Sequence, residues 1–416
     1  MARRRSSWST VVGFGLVSLA IDSVSDGARP LAGPLLAQLG ASALVVGLVT
    51  GGAEAAAQGL RVLFGPWADR TGKYWTFTLA GYALTALCIP LLALAPALAA
   101  SGLVLASTLI VGDRVGKAVR SPAKTVLLAA VAKPIGRGRG FAVHKSLDLA
   151  GAFLGPLIAS AVIAATGALW PAFAVLAVPG AAAMVLLFWL RRHVPDPGSG
   201  RRDAGSDAEG EPERGGGTPR ADASRAAKGS ARFPPSFLLF AVAAFLWSAG
   251  LVAFGVISFH LSADVGTPVS LVPLIYAAAM ATAALGALAS GYLYDRLGGA
   301  ILLALPLLVA MVPVLAFSTT AAPVLAGVLI WGAATGIQDS TVKALVADLV
   351  AEPRQGTAYG VFAAFEGGGA LAGGALYGAL YGSRPLLIAA VAVLQALALV
   401  LLAVTVRKSP RPARDA

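Results

Sequence analysis

Gly65-Pro66-Trp67-Ala68-Asp69-Arg70-Thr71-Gly72 returns as Gly291-Tyr292-Leu293-Tyr294-Asp295-Arg296-Leu297-Gly298, 226 positions later (291 minus 65). Each copy follows two long apolar runs and precedes a third. A Gly-Asp-Arg-Gly turn in the same slot of two halves marks the chain as a duplicated membrane bundle. Gly72 permits the tight turn. Asp69 sits where a carboxylate can take backbone donors or face a neighbouring helix N-terminus.

Composition leads to the same class. The chain has 416 residues, 57% hydrophobic and 12% charged, with mean hydropathy +0.78. Soluble domains carry about 25% charged residues. Apolar runs of about 20 residues match the length that a helix needs to cross hydrocarbon. The runs are continuous rather than alternating, which selects helices over a barrel. About twelve are predicted: 11–37, 43–68, 75–96, 98–120, 138–166, 170–191, 234–262, 268–294, 299–318, 322–347, 356–382 and 384–406. The first reads as a retained span rather than a signal peptide, because Asp22, Asp26 and Arg29 follow its apolar start.

Net charge is +12, and its placement points to a membrane rather than to nucleic acid. Arg3–Arg5, Arg70, Lys73, Lys133, Arg137, Arg139, Arg296, Arg354, Arg407, Lys408, Arg411 and Arg414 fall on one side, as do the basic residues of the 191–232 stretch. Arg384 is the exception. Basic loops stay in the cytoplasm, so both termini are expected there. Residues 193–232 mix Gly, Pro, Ser, Arg, Asp and Glu without periodicity. They read as a disordered cytoplasmic linker between an N-terminal bundle (1–192) and a C-terminal bundle (233–416).

The duplication extends further. Gly138-Arg139-Gly140-Phe141-Ala142-Val143 aligns with Gly356-Thr357-Ala358-Tyr359-Gly360-Val361 at an offset of 218 (356 minus 138). The same register puts Asp148 opposite Glu366, Gly151 opposite Gly369 and Gly155 opposite Gly373. Parallel six-span halves are a known transporter architecture.

On these residues the chain resembles the major facilitator superfamily over nearly its whole length. Gly65-x-x-x-Asp69-Arg70-x-Gly72-Lys73 is similar to that superfamily's loop motif between spans two and three. Gly151-Ala-Phe-Leu-Gly155-Pro156 resembles the fifth-span motif of its antiporters, with Ala159 and Ser160 where a Gly pair often stands. The resemblance implies an all-α membrane protein of twelve spans in two pseudo-symmetric six-helix bundles. It also implies a cytoplasmic gate built on Asp69 and Arg70, with Asp295 and Arg296 as the second copy. A fourth-span arginine seen in proton-coupled members would fall near Ile110; Arg114 is the candidate to replace it.

The site candidates are ionisable residues inside spans, which are functional by default because insertion of each one costs about 2.5–3.5 kcal/mol. Asp22, Asp26 and Arg29 share one helical face at i, i+4, i+7 and so should face a cavity or a partner helix. A desolvated carboxylate can exchange protons near neutrality, and a nearby cation opposes this. Glu54 has no evident local partner and is the favoured proton carrier; Asp148 has His144 at i−4 and Lys145 at i−3, which would hold it ionised. Glu366 sits in the eleventh span beside three glycines that suit close helix packing. Asp113 and Arg114 with Lys117 and Arg120, and Asp339 with Lys343, read mostly as structure and cytoplasmic gating.

Enzyme look-alikes fail on context. Ser121-x-x-Lys124 abuts a basic helix end, and His144, His193 and His260 are far apart in sequence. The lone Cys88 excludes an intrachain disulfide and a cysteine metal site. No cofactor or metal is expected. The reading is a monomeric plasma-membrane secondary transporter of a small molecule, working by alternating access and coupled to proton entry as efflux. The alternatives are an uptake permease or uniporter of the same fold and, from another class, a lipid scramblase or sensor.

Overall fold

The computed structural model describes residues 2–194, 233–351 and 354–408, and these are helical apart from short connections. The expected linker lies, but for its first two residues, outside the described residues, as do Arg411 and Arg414. In chain order the helices are α1 (Ala2–Ala28), α2 (Ala32–Gln38), α3 (Ala43–Gly59), α4 (Arg61–Thr71), α5 (Tyr74–Leu91), α6 (Gly102–Ala132), α7 (Arg137–Thr166), α8 (Trp170–Val175) and α9 (Ala177–His193). The second half supplies α10 (Pro235–Gly250), α11 (Phe254–Ala263), α12 (Val272–Leu297), α13 (Ala304–Leu315), α14 (Ala321–Leu349), α15 (Gln355–Ala379) and α16 (Arg384–Lys408).

Among the described residues, nine segments are long and apolar enough to cross a membrane. One of them, Val269–Leu315, runs 47 residues and contains both α12 and α13. Two further long helices fall outside that count: α6, which carries Asp113, Arg114, Lys117 and Arg120, and α15, which is rich in glycine. Large apolar side chains such as Val185 and Leu288, 71% and 73% exposed, point away from the bundle, as lipid contact requires.

The duplication reappears as packing. In the first half α1 packs on α7 and α9, α5 on α6 and α9, and α3 on α6. In the second half α10 packs on α15 and α16, α13 on α14 and α16, and α12 on α14. The glycines aligned by sequence sit at equivalent contacts. A Cβ on Gly155 would lie 2.8 Å from the Gly27 backbone nitrogen of α1, and one on Gly373 would lie 2.5 Å from the Ala249 carbonyl of α10. Small residues let these backbones touch.

Several of the predicted spans are broken. Pro30 and Pro34 interrupt the first, leaving a 3-10 turn at Arg29–Leu31 between α1 and α2. The second turns at Leu60, between α3 and α4. The span expected over 234–262 breaks at Leu251–Ala253 with no proline in the gap. Carbonyls freed there find side-chain donors: Tyr377 Oη donates to Gly250 O at 2.7 Å and Trp331 Nε1 to Val252 O at 2.8 Å. Such repair is obligatory where no water is available. The fourth span is longer than expected, because α6 continues to Ala132 rather than ending near 120.

The halves meet along α3 and α15 and at the end away from the termini. There Gly33 of α2 touches Gly255 of α11, Gly47 of α3 touches Gly374 of α15, and Ser160 Oγ donates to Ser270 O at 2.7 Å.

Candidate functional site

A central cavity lies between α1–α3 and α6 on one side and the α10–α11 break on the other. Its lining includes Ser25, Arg29, Thr50, Glu54, Asp113, Arg114, Phe254 and Gly255. About 30 Å³ of it is open to the centre of a water molecule, room for roughly two waters.

The charged groups around it form one network. The helix disturbance at Pro30 puts Arg29 at the turn, from which its guanidinium reaches Asp26 Oδ1 at 3.6 Å and pairs directly with Glu54. Tyr276 of α12 donates to Asp26 Oδ1 at 3.0 Å and accepts from Arg29 Nη1 at 3.4 Å, so a residue of the second half closes the cluster. On α6, Arg114 Nε lies 3.6 Å from Asp113 Oδ2 and 3.9 Å from Glu54 Oε1. Ser25 Oγ donates to Asp113 Oδ2 at 3.0 Å.

A second polar layer lies one to two turns nearer the termini. Asp22 Oδ1 is 3.6 Å from Arg120 Nη2, and Asp148 is a close neighbour of Asp22. Arg120 also donates to Thr85 Oγ1 at 2.5 Å and stacks over Tyr82, 4.9 Å from its ring centre. Lys124 Nζ donates to Ser18 Oγ at 3.2 Å, and His144 Nε2 lies 3.3 Å from the same oxygen. Lys145 Nζ donates to Asp148 Oδ2 at 2.7 Å. The helical stripe of α1 is therefore shared between two layers, Asp22 in one and Asp26 with Arg29 in the other.

These features can be set beside known proteins. The profile of the Major Facilitator Superfamily matches residues 14–373 and, as a second match, 238–416. The chain belongs to the major facilitator superfamily. An uncharacterized protein of Mycobacterium tuberculosis is 47% identical over 399 residues, spanning 95% of this chain and 93% of the relative. An uncharacterized MFS-type transporter of Methanocaldococcus jannaschii is 30% identical over 142 residues, 34% of each chain. Among solved structures, the nucleoside transporter NupG superposes with TM-score 0.70 at 14% identity, covering 96% of this chain and 99% of that one. The xylose transporter XylE from E. coli, in an inward open conformation, gives 0.66 at 13% identity with 98% of both chains covered. At such identities these two similarities speak for the fold. The protein is thus a multi-pass membrane transporter of this superfamily.

The superfamily's loop motif forms the turn that its glycines require. Gly72 ends α4 with φ +64°, and Gly298, its repeat partner, ends α12 with φ +59°. Asp69 and Arg70 are exposed, Asp69 accepts from Tyr74 Oη at 3.2 Å, and Lys73 begins the next helix. Asp295 is exposed, and Arg296 lies over the ring of its neighbour Tyr292. Among the described residues, none of the ion pairs ties Asp69, Arg70, Asp295 or Arg296 to the opposite half. Gly65 meets only Pro122 Cβ, 3.9 Å from where a Cβ would stand. Gly151 and Gly155 press on α1, and Pro156 lies inside α7 without ending it.

The structure brings together Asp26, Arg29, Glu54 and Arg114 at the cavity, and Asp22, His144 and Asp148 in the second layer. Glu366 stands apart, accepting from Gln338 Nε2 at 3.0 Å. Two expectations need correction. Glu54 is not without a partner: the turn at Pro30 delivers Arg29 to it. The fourth span does not end near 120: α6 runs on to Ala132 and leaves Asp113 and Arg114 mid-helix against the cavity. Of Asp339 and Lys343, Asp339 is exposed, and the Lys343 side chain lies outside the described set. Sequence reasoning missed Arg120, Lys124, Ser25 and Tyr276 as members of the network. Among the described residues, no group of three or more His, Cys, Asp and Glu side chains is arranged to hold a metal.

Proposed function

We propose that the protein is a proton-coupled exporter of a small molecule, working by alternating access. The observation that carries this reading is the buried two-layer charge network, which spans α1, α3, α6 and α7 and is closed by Tyr276 from the second half. Charges so buried are retained for ligands and protons rather than for stability.

Twelve crossings follow if α6 and α15 are counted and Val269–Leu315 is taken as two. An even number suits termini that share the cytoplasmic side of the plasma membrane, with 1–192 and 233–416 as the two moving bodies and 193–232 as their tether. The far-end contacts between halves, and the exposed Asp69, Arg70, Asp295 and Arg296, fit a state closed outside with its cytoplasmic latch released. XylE, with which the chain shares its fold, is in an inward open conformation, which agrees. A cavity that admits about two waters cannot pass a larger solute until the bodies move.

Proton carriage falls to the Asp22–Asp148 pair rather than to Glu54. Two carboxyl groups brought close together repel when both are ionised, so one of them gains a proton more readily than an isolated acid would. Lys124, Lys145 and Arg120 stand ready to compensate its loss.

The test is growth of an overexpressing strain against toxic compounds at two external pH values, then transport in everted vesicles. Addition of a protonophore should abolish substrate movement, and D22N or D148N should uncouple it. Transport indifferent to the proton gradient would instead establish a uniporter. Arg29's hold on Glu54 favours that second reading, because it leaves a single carboxyl pair for protons.

A further inference from the structure

The central cavity contains two charged side chains whose bonding capacity the protein does not use up. Asp113 Oδ1 and Arg114 Nη1 are buried, on residues 2% and 5% exposed, and neither has a hydrogen-bond partner within the protein. Both residues line the cavity. Each is a spare group on a side chain of the cavity wall, an acceptor on Asp113 and a donor on Arg114, while Asp113 Oδ2 is engaged by Ser25 and by Arg114 Nε. Their neighbours are already engaged: Glu54 and Arg29 hold each other, and Asp26 holds Tyr276.

The formal charge around the cavity balances. Of the residues that line it, Glu54 and Asp113 face Arg29 and Arg114. A ligand with net charge would leave one buried charge uncompensated, whereas a ligand with one charge of each sign would not. The rest of the wall is apolar, with Ala28, Ala53, Ile89, Ile110 and Phe254.

We propose that this cavity, enlarged when the two bodies move, binds a small zwitterion with an apolar flank, its ammonium on Asp113 and its carboxylate on Arg114. This assignment rests on the transporter reading and adds the class of its cargo. A guanidinium donor is well suited to a carboxylate, and a carboxylate to an ammonium.

The experiment uses the full chain, purified and reconstituted. Equilibrium binding is measured for the twenty standard L-amino acids. L-Leucine is then compared with its two halves, 4-methylpentanoate (no amine) and 3-methylbutylamine (no carboxylate). Leucine should bind about ten- to a hundred-fold more tightly than either half, as loss of one charge-assisted bond requires. D113N should weaken leucine by a similar factor and leave 4-methylpentanoate unchanged; R114Q should spare 3-methylbutylamine. Equal binding of leucine and either half overturns the proposal, and so does failure of the whole set to bind. The comparison of ligands uses the unaltered chain, so it stands even where a variant fails to fold. Lysophosphatidylethanolamine in the same assay separates the sources of a zwitterion: if it displaces leucine, a lipid headgroup shares the site. The transporter reading has its own readout in the protonophore assay, so the two failures are distinguishable.

Discussion

Arg29 and Glu54 are joined in an ion pair that ties the first broken span to the second, at the edge of the cavity. Their side chains are 24% and 22% exposed, so most of each charge is out of water. Removing one partner of a fully buried pair costs about 3–5 kcal/mol, and the residual exposure puts this one near the lower end. E54Q should therefore lower unfolding stability in detergent by about 3 kcal/mol, while R29M combined with E54L recovers much of the loss. Thermal unfolding of the three proteins checks this. Equal destabilisation by the single and double changes would mean that the pair does not bind its charges together.

Tyr276 is the hydroxyl that links the halves across the charge network. Y276F removes the bonds to Asp26 and Arg29 and keeps the ring packed against Phe254, 4.8 Å away between centres. If the halves rock as proposed, the arrangement closed by Tyr276 loses a bond to charged groups, worth about 1.5–3 kcal/mol. A shift of that size moves a two-state population about tenfold or more. An introduced cysteine at Ala253 should then react correspondingly faster with an impermeant maleimide added outside. An unchanged labelling rate would assign Tyr276 to packing alone.

The repeat was legible because its markers are geometric necessities. Gly72 and Gly298 must allow positive φ, and Gly155 and Gly373 must allow backbone contact, so their spacing survives in the sequence. The charge network was half legible. Asp22, Asp26 and Arg29 stood out because they interrupt an apolar run. Asp113, Lys117, Arg120 and Lys124 form a similar stripe on α6, but the span was ended at 120, and the stripe read as a cytoplasmic terminus. Its basic residues resemble the positive-inside signal, and only the observed length of α6 separates the two. Which acid meets which base is a matter of tertiary distance. No local pattern announces that Arg29 crosses to Glu54 or that Tyr276 arrives from the second half.

Two motif glycines should separate packing from gating. G155A forces a Cβ to within 2.8 Å of the Gly27 nitrogen, and overpacking of this kind costs about 1–3 kcal/mol. G65A meets only Pro122 Cβ at 3.9 Å, an ordinary contact, and should leave the melting temperature nearly unchanged. If the loop motif works as a latch, G65A should still slow transport severalfold. Normal transport at normal stability would remove Gly65 from the mechanism.

The break between α10 and α11 lies against the cavity through Ala253, Phe254 and Gly255, and it is held open by Trp331 and Tyr377. W331F keeps an aromatic ring beside Phe254 but withdraws the donor from Val252 O. A buried carbonyl left without a partner costs about 1–3 kcal/mol. The segment has one cheap remedy, which is to rewind the helix through Leu251–Ala253, and that would carry Phe254 away from the cavity wall. W331F should therefore reduce substrate affinity as well as stability, while Y377F, whose hydroxyl serves Gly250 O, should lower stability alone. Binding and unfolding measured on both variants decide the point. Equal effects on affinity would mean that the break is a structural accommodation and not a means of placing Phe254.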